Sequence, residues 1–394
     1  MRRFCSIFSQ LLQLFPRLEF EQAVRQHHAD RHLRGFPCWG QFVAMLFCQL
    51  GQAHSLREIC GGLAATEGKL KHLGLAATPK RSTLSYANGQ RPWQLFETVF
   101  QQLLGKCRGQ LGLAAGGHKF RFQNRLLSLD ASVIDLCVSL FDWAQFQRTK
   151  GAIKLHLLLD HAGYLPSFAV VTRGKTHDLR VARKMRFEPG TVLVFDRGYI
   201  DYQWFVELGR RKVYFVTRLK ENAVYEVVEQ RAVPQRSNVV ADEVIFFSSQ
   251  AEASKEYFFR RVEIADPEQG RLVFLTNHHQ LGATTVAAIY KDRWQVELFF
   301  KALKQNLRIK TFVGTSSNAV RTQVWTALIA LLLLRYLQLR AKFSWSLSNL
   351  AALLRQQLFV HRELWTWLDE PFQPPPGLPD KATSQLELPL AVRG

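Results

Sequence analysis

A change of hydrophobic periodicity near Phe120 constrains the fold more than any other feature of the sequence. Three runs of strand type follow it, at residues 125–134, 152–160 and 165–172. Only the short sequence HAGY separates the last two runs, which is the length of a hairpin turn. The pattern predicts a three-stranded antiparallel meander.

Helices and strands alternate after the meander. A predicted helix at 177–186 leads into the strand TVLVFD, which ends at Asp196. A second predicted helix at 202–210 leads into the strand KVYFVTR. The order βββαβαβ is that of a ribonuclease H-like core, so we predict an α/β fold built on such a core.

The rest of the chain is predicted to surround this core. Residues 1–117 show the pattern of short helices, with a capping box at Ser55 and Glu58 and a boundary at Gly116 and Gly117. The strand-like sequences EVIFFSS, YFFRRVEI and RLVFLTN then interrupt the core. The predicted segments are a helical N-terminal domain (1–117), the first part of the core (118–220), a β-rich insertion (221–282), the helical second part of the core (283–345), and a C-terminal helical segment with a Pro-rich tail (346–394).

A basic, turn-rich stretch, TPKRSTLSYANGQRPW, lies within the N-terminal segment. Two interpretations fit it equally well: contact with backbone phosphates, or a solvated loop. The side chains proposed for phosphate contact are Arg81, Ser82, Thr83, Tyr86 and Asn88.

The charge of the chain favours a polyanionic partner. The 52 Lys and Arg residues exceed the 32 Asp and Glu residues, which gives a formal net charge of +20. Because neutralising phosphates releases bound counterions, such a surface is typical of nucleic-acid binding. A basic protein without such a partner, or one that binds an anionic membrane surface, stays an alternative on charge alone.

No membrane span or export signal is predicted. The apolar run from Ala327 to Leu334 is interrupted by Arg335 and is shorter than the roughly 20 residues that cross a bilayer, so we predict a buried helix. The N-terminal sequence MRRFCSIFSQLLQLF has no small-residue cleavage site. We therefore expect a cytoplasmic protein.

Six cysteines are present, and none forms a C-x-x-C pair. Their spacing favours small buried hydrophobic residues over a zinc site or a disulfide framework.

Two aspartates stand in apolar strands. Asp130 lies among Leu, Val and Ile residues, and Asp196 ends the run Val192 to Phe195. Either residue alone is most simply a hydrogen-bonded structural Asp. In the predicted topology, however, the first and fourth strands are neighbours, so both carboxylates can share one hard cation.

The segment YKDRWQVELFFKALKQNL predicts an amphipathic helix. At 3.6 residues per turn one face collects five polar side chains, namely Tyr290, Arg293, Glu297, Lys301 and Lys304. The opposite face collects Val296, Phe299, Phe300, Leu303 and Leu307. The polar face is either a solvated stripe of i,i+4 pairs or a phosphate-handling site in which the acid holds metal.

These residues resemble the DDE transposases of bacterial insertion sequences, specifically the insertion-sequence-four group with its YREK signature. Tyr290, Arg293, Glu297 and Lys304 match every interval of that signature. The blocks SLDASVIDL, VFDRGY and GKTHD are also similar to family blocks, as is the β-rich insertion. The resemblance covers most of the chain, including the N-terminal segment, which it implies to be a DNA-binding domain.

The resemblance implies a site and a reaction. Asp130, Asp196 and Glu297 would be catalytic and would bind two Mg²⁺ ions, with Mn²⁺ able to substitute. Tyr290, Arg293 and Lys304 would hold DNA phosphates, with Lys301 a weaker candidate. Trp294 would either stack on an extruded base or pack in the core, and of these two predictions the core position is slightly favoured.

The implied partners are double-stranded DNA, both as terminal inverted repeats and as target, and a second copy of the chain on that DNA. The implied location is the bacterial cytoplasm, at the nucleoid.

Three alternatives can be compared with the same residues. A ribonuclease H-like nuclease or junction resolvase would share the acids but has little use for the insertion and the spaced Tyr-Arg-Glu-Lys helix. A non-catalytic DNA-binding protein derived from a transposase would have lost an acid, and all three are present. A basic structural protein fits only the charge.

Overall fold

The computed structural model describes residues 5–31, 35–66, 68–110, 120–136, 141, 143, 145–147, 150–247, 257–307 and 312–372. The predicted boundary at Gly116 and Gly117, Cys137 and nearly all of the Pro-rich tail lie outside these ranges.

The N-terminal segment is helical, as its periodicity predicts. Its helices are α1 (Ile7–Leu12), α2 (Arg17–Gln26), α3 (Cys38–Leu50), α4 (Leu56–Ala64), α5 (Arg81–Gln90) and α6 (Gln94–Gln110), with a short 3-10 helix at Lys69–Leu73. The predicted capping box begins α4, where the Ser55 hydroxyl accepts a bond from the Glu58 backbone N–H at 3.2 Å. Cys38, Cys48 and Cys107 are buried, and the described cysteines form no disulfide.

The basic stretch of this segment is a helix, so the prediction of a turn-rich loop is wrong. Helix α5 buries Leu84, Ala87 and Asn88 at i, i+3 and i+4, and this packing outweighs the weak helix propensity of its Ser, Asn and Gly residues. Arg81, Ser82 and Tyr86 are exposed. Asn88 is buried and accepts a 2.9 Å bond from the Gln41 amide, so the prediction of phosphate contact is wrong for this residue.

The substitution Asn88→Ala is expected to destabilise the protein by about 1–3 kcal/mol, because it leaves the Gln41 amide buried without this partner. Urea unfolding measures the change. The control Ser82→Ala lies on the exposed side of the same helix and should shift stability by less than about 0.5 kcal/mol. Equal stabilities of the two variants would contradict the assignment of Asn88 to the core.

The core sheet has the predicted ribonuclease H-like topology. Its strands are β1 (Leu126–Leu136), β2 (Gln145–Gln147), β3 (Lys150–Asp160), β4 (Leu165–Arg173), β5 (Val192–Phe195) and β6 (Tyr214–Arg218). β1, β3 and β4 form the antiparallel meander, and β5 and β6 run parallel to β1, which gives the spatial order β4-β3-β1-β5-β6. The short strand β2 was not predicted. Helices α7 (Asp178–Ala182) and α8 (Tyr202–Arg210) connect the parallel strands, and α7 is shorter than predicted.

The β-rich residues that follow extend this same sheet. They form β7 (Glu226–Gln230), β8 (Val239–Phe246), β9 (Phe259–Asp266) and β10 (Gly270–Thr276). β10 pairs antiparallel with β6, and β9, β8 and β7 follow in that order, so core and extension share one ten-stranded sheet. The division of the chain into five segments stays a prediction.

The remaining helices are α9 (Ala283–Asp292), α10 (Trp294–Asn306), α11 (Ser317–Arg340), α12 (Leu347–Gln357) and α13 (Leu364–Asp369). By length and composition α11 resembles a membrane span, yet 83% of its most apolar window is buried inside the protein. It is the predicted buried helix, and it packs against α6 and α3 of the N-terminal segment. The N-terminal helices and α10 to α13 therefore share one hydrophobic core.

Candidate active site

Asp130 and Asp196 lie side by side at the point where β5 ends. The parallel register pairs Leu129 of β1 with Phe195 of β5, and the two aspartates are the next residues on each strand. Since neighbouring strands are roughly 4.8 Å apart, both acids occupy one position at the edge of the parallel pair. The structure therefore brings together the two acids that the sequence placed on neighbouring strands.

Each aspartate carboxylate accepts a bond from a backbone N–H close by in the chain. The Ala131 N–H donates to Asp130 at 2.7 Å, and the Gly198 N–H donates to Asp196 at 2.9 Å. Burial raises the pKa of Asp130 to about 7, and the charges of Asp196 and Glu297 act in the same direction against the Ala131 bond and Arg293. Positive charge beside this acid would therefore favour its ionised form.

Glu297 approaches the pair from α10, in the company of Arg293 and Tyr290. Arg293 donates a 2.7 Å bond to Glu297 and lies 5.4 Å from the centre of the Tyr290 ring. Burial disfavours the charged guanidinium, but its bond to Glu297 and the nearby Glu297 and Asp130 charges raise the pKa of Arg293. Three acids and one arginine thus lie within electrostatic reach of one another.

The predicted single helix is divided at Arg293. There the Arg293 N–H bonds to Tyr290 O at 3.1 Å and the Val296 N–H bonds to Arg293 O at 3.0 Å, which are i,i+3 bonds. We call this tight turn the α9–α10 joint. The predicted apolar face is confirmed, because Val296, Phe299, Phe300, Leu303 and Leu307 are all buried.

The remaining predicted DNA-contacting residues lie along α10. Trp294 is 56% exposed, so the small preference for a core position is wrong: it lies on the polar side of the helix, away from the buried face of Val296 and Phe299. Lys301 is exposed and Lys304 half-buried. Neither lysine makes an ion pair with another residue in the part of the chain that the structure describes, which leaves both cations available for phosphate.

Tyr199 is a site residue that the sequence did not indicate. Its buried hydroxyl has no hydrogen-bond partner among the described residues. Burial and the charges of Asp178, Asp130 and Asp196 raise its pKa, so the hydroxyl keeps its proton and is a donor facing acids. Its place in the block VFDRGY was the available signal, but an aromatic residue after a strand is normally read as core.

The donor set suits a hard divalent cation. Within the described ranges no three His, Cys, Asp or Glu side chains already form a metal-binding cluster, and Glu297 is bonded to Arg293. Two adjacent aspartates and a third carboxylate are nevertheless oxygen ligands of the type such cations prefer. Burial, with the charges of Asp196 and Glu297, raises the pKa of Asp130 to about 7, so a cation bound here would favour its ionised form.

Comparison with known families gives two matches. A domain of unknown function, DUF4372, matches residues 5–76, and the Transposase DDE domain matches residues 121–333. The second match includes Asp130, Asp196, Glu297 and the whole extended sheet.

Several curated relatives are similar to this chain. A protein described as a transposase, y4zB, of Sinorhizobium fredii is 30% identical over 78% of this chain and 85% of its own length. A transposase for insertion sequence element IS5377 of Geobacillus stearothermophilus is 28% identical over 65% of this chain and 67% of that protein. Among solved structures, the piggyBac transposase in a synaptic complex with hairpin DNA covers 91% of this chain and 83% of that one at 9% identity, with a TM-score of 0.44. This last similarity is too low to support any conclusion about this chain.

Proposed function

Because the chain belongs to the DDE transposases of bacterial insertion sequences, as the sequence motifs predicted, we propose that it performs cut-and-paste DNA transposition. It binds the ends of an insertion sequence, cleaves the DNA by metal-dependent phosphodiester hydrolysis, and joins the 3′ ends to target DNA. The observation that carries the proposal is that Asp130 and Asp196 lie side by side where β5 ends, with Glu297 near enough for its charge to act on Asp130.

Asp130, Asp196 and Glu297 would hold two Mg²⁺ ions, with Mn²⁺ able to substitute. Such ions lower the pKa of bound water and neutralise charge on the attacking and leaving oxygens of a phosphodiester. Arg293 bonds to one oxygen of Glu297; if a cation took its place there, the guanidinium would be available to bind a phosphate oxygen. One residue pair would thus respond both to the metal and to the DNA.

The DNA-binding surface proposed here follows α10 away from the acids. Arg293 and Tyr290 would hold the phosphate at the cleaved end, and Lys304 and then Lys301 would bind phosphates farther along. The net charge of +20 supports a long backbone contact of this kind. Two ends must be cut together, so we expect a homodimer on DNA, at work on the nucleoid in the cytoplasm.

The proposal is tested with purified protein and labelled DNA that carries the flanking inverted repeats. With Mg²⁺, a transposase cuts at the repeat end and then joins that end to a second DNA, whereas a nuclease or junction resolvase gives cleavage without joined product. A DNA-binding protein without catalysis shifts the DNA and cuts nothing. Addition of EDTA should stop cleavage and leave binding.

Trp294 supplies a further prediction. Base stacking on an aromatic side chain is worth about 1–3 kcal/mol, so Trp294→Ala should slow end cleavage by roughly ten- to one-hundred-fold. Trp294→Phe should keep part of the rate. Leu298→Ala is the matched control, because Leu298 is also exposed on α10, one turn later, and is not predicted to meet a base. A Trp294→Ala variant as fast as Leu298→Ala would exclude stacking.

A further inference from the structure

A buried Ser-His-Asp chain of hydrogen bonds lies next to the acids. The His161 Nδ1 is 2.6 Å from Asp292 Oδ2, and its Nε2 is 2.6 Å from Ser128 Oγ. A carboxylate only accepts, so Nδ1 donates to Asp292, and in the neutral ring Nε2 accepts from the Ser128 hydroxyl. We call these three residues the buried relay.

The relay lies on the same face of the sheet as the catalytic acids. Ser128 precedes Asp130 by two positions on β1, and alternate residues of a strand point to one face. Leu127 and Leu129 pack on the other face, in the core beneath α8, whereas Leu126 packs beneath α9. The relay therefore spans from the strand of the first acid to the helix that leads to the third.

Burying the Asp292 carboxylate in this position costs free energy, which indicates that its hydrogen bonds are needed to stabilise it. It is buried at the C-terminal end of α9, where the helix dipole disfavours negative charge. Besides His161 it accepts a 3.1 Å bond from the Tyr164 hydroxyl. The next residue is Arg293, which begins the α9–α10 joint and holds Glu297.

The turn that supplies His161 and Tyr164 is itself strained. Gly163 and Tyr164 both have positive φ, of 78° and 53°, and a tyrosine rarely adopts that conformation. This conformation returns the chain from β3 into β4, with the Tyr164 hydroxyl and the His161 ring at the same carboxylate. The Asp292 contacts are among those that can stabilise the positive φ of Tyr164.

We propose that Ser128, His161 and Asp292, with Tyr164, are positioning residues that fix the α9–α10 joint against β1. They thereby set where Arg293 and Glu297 stand relative to Asp130 and Asp196. The proposal rests on the proposed function, since it is the metal-binding acids that are positioned. Ser128 is not a nucleophile, because its side chain is fully buried.

The test uses Ser128→Ala, Asp292→Asn and His161→Phe in the full chain. Hydrogen exchange of residues 283–306 measures how readily the backbone opens at the joint. Mn²⁺ titration followed by electron paramagnetic resonance measures metal binding by the acids. Each variant should speed exchange at the joint and weaken Mn²⁺ binding, both by about ten-fold, which is typical for loss of a group that orients metal ligands. Ser128→Ala combined with Asp292→Asn should be no worse than the stronger single variant, because both act through His161.

His27→Phe is the matched control for a merely structural role. Its ring makes a comparable 2.7 Å bond to the Thr98 hydroxyl in the N-terminal helices, so its loss costs stability without touching the joint. It should leave Mn²⁺ affinity and exchange at the joint unchanged. The positioning role of the buried relay is refuted if all three variants match the wild type in both exchange and Mn²⁺ affinity, or if a fluorophosphonate probe labels Ser128. Wild-type protein that binds no Mn²⁺ would instead refute the proposed function.

Discussion

Replacement of Asp130, Asp196 or Glu297 by Ala is expected to abolish Mg²⁺-dependent cleavage of end DNA while leaving end binding largely intact. Metal ions contribute several kcal/mol of charge stabilisation in the transition state, so loss of one ligand should reduce the rate by roughly 10³-fold or more. Binding survives because the basic residues along α10 and elsewhere still contact phosphates. Gel analysis of cleavage beside a mobility-shift assay measures both effects on the same preparation.

The matched control is Asp135→Ala. Asp135 lies on the same strand as Asp130, five positions later, and is exposed. The Asp135→Ala variant should cut end DNA at the wild-type rate. That result would distinguish the loss of a site acid from the loss of any acid on β1. Retained cleavage in one of the three site variants would remove that residue from the catalytic assignment.

Substitution of Arg260 by Ala is expected to cost about 3–5 kcal/mol of stability, because it leaves a buried Asp242 carboxylate without its partner. The guanidinium makes two bonds to Asp242, at 2.8 and 2.6 Å, and further bonds to the carbonyls of His278, His279 and Leu281. These carbonyls lie just before α9, so the same substitution also loosens the start of the helix that leads to Arg293.

Urea unfolding measures this loss, with Arg271→Ala as the control. Arg271 pairs with Glu263 at 3.2 Å on the same sheet extension, but its side chain is 76% exposed. Exposed ion pairs are worth about 0–1 kcal/mol, so Arg271→Ala should be nearly neutral. Comparable losses of unfolding free energy in the two variants would show that burial is not the reason why the Arg260–Asp242 pair stabilises the protein.

The sequence predicts the acid pair because strand order determines it. Once β1, β3 and β4 are read as a meander and β5 as the next strand, parallel pairing of β1 with β5 places Asp130 beside Asp196. The apolar face of α10 was predictable for a similar reason, since 3.6-residue periodicity fixes which side chains turn inward.

The sequence could not predict features set by contacts between distant residues. The joint at Arg293 divides the predicted helix into α9 and α10, and a continuous helical wheel cannot contain that division. His161 and Asp292 are 131 positions apart, and no local pattern joins them. Helix α5 was misread because turn-forming residues dominate it, while the Gln41 and Asn318 amides that bond to Asn88 come from α3 and α11.

Crystals of the protein with end DNA and Mn²⁺ give the most direct test of the proposed site, through anomalous scattering at the manganese edge. The account predicts anomalous density between Asp130 and Asp196, within ligand distance of both, with Glu297 turned from Arg293 toward it. Density at another place, or none within reach of these carboxylates at saturating Mn²⁺, would contradict a metal-dependent site built on the three acids.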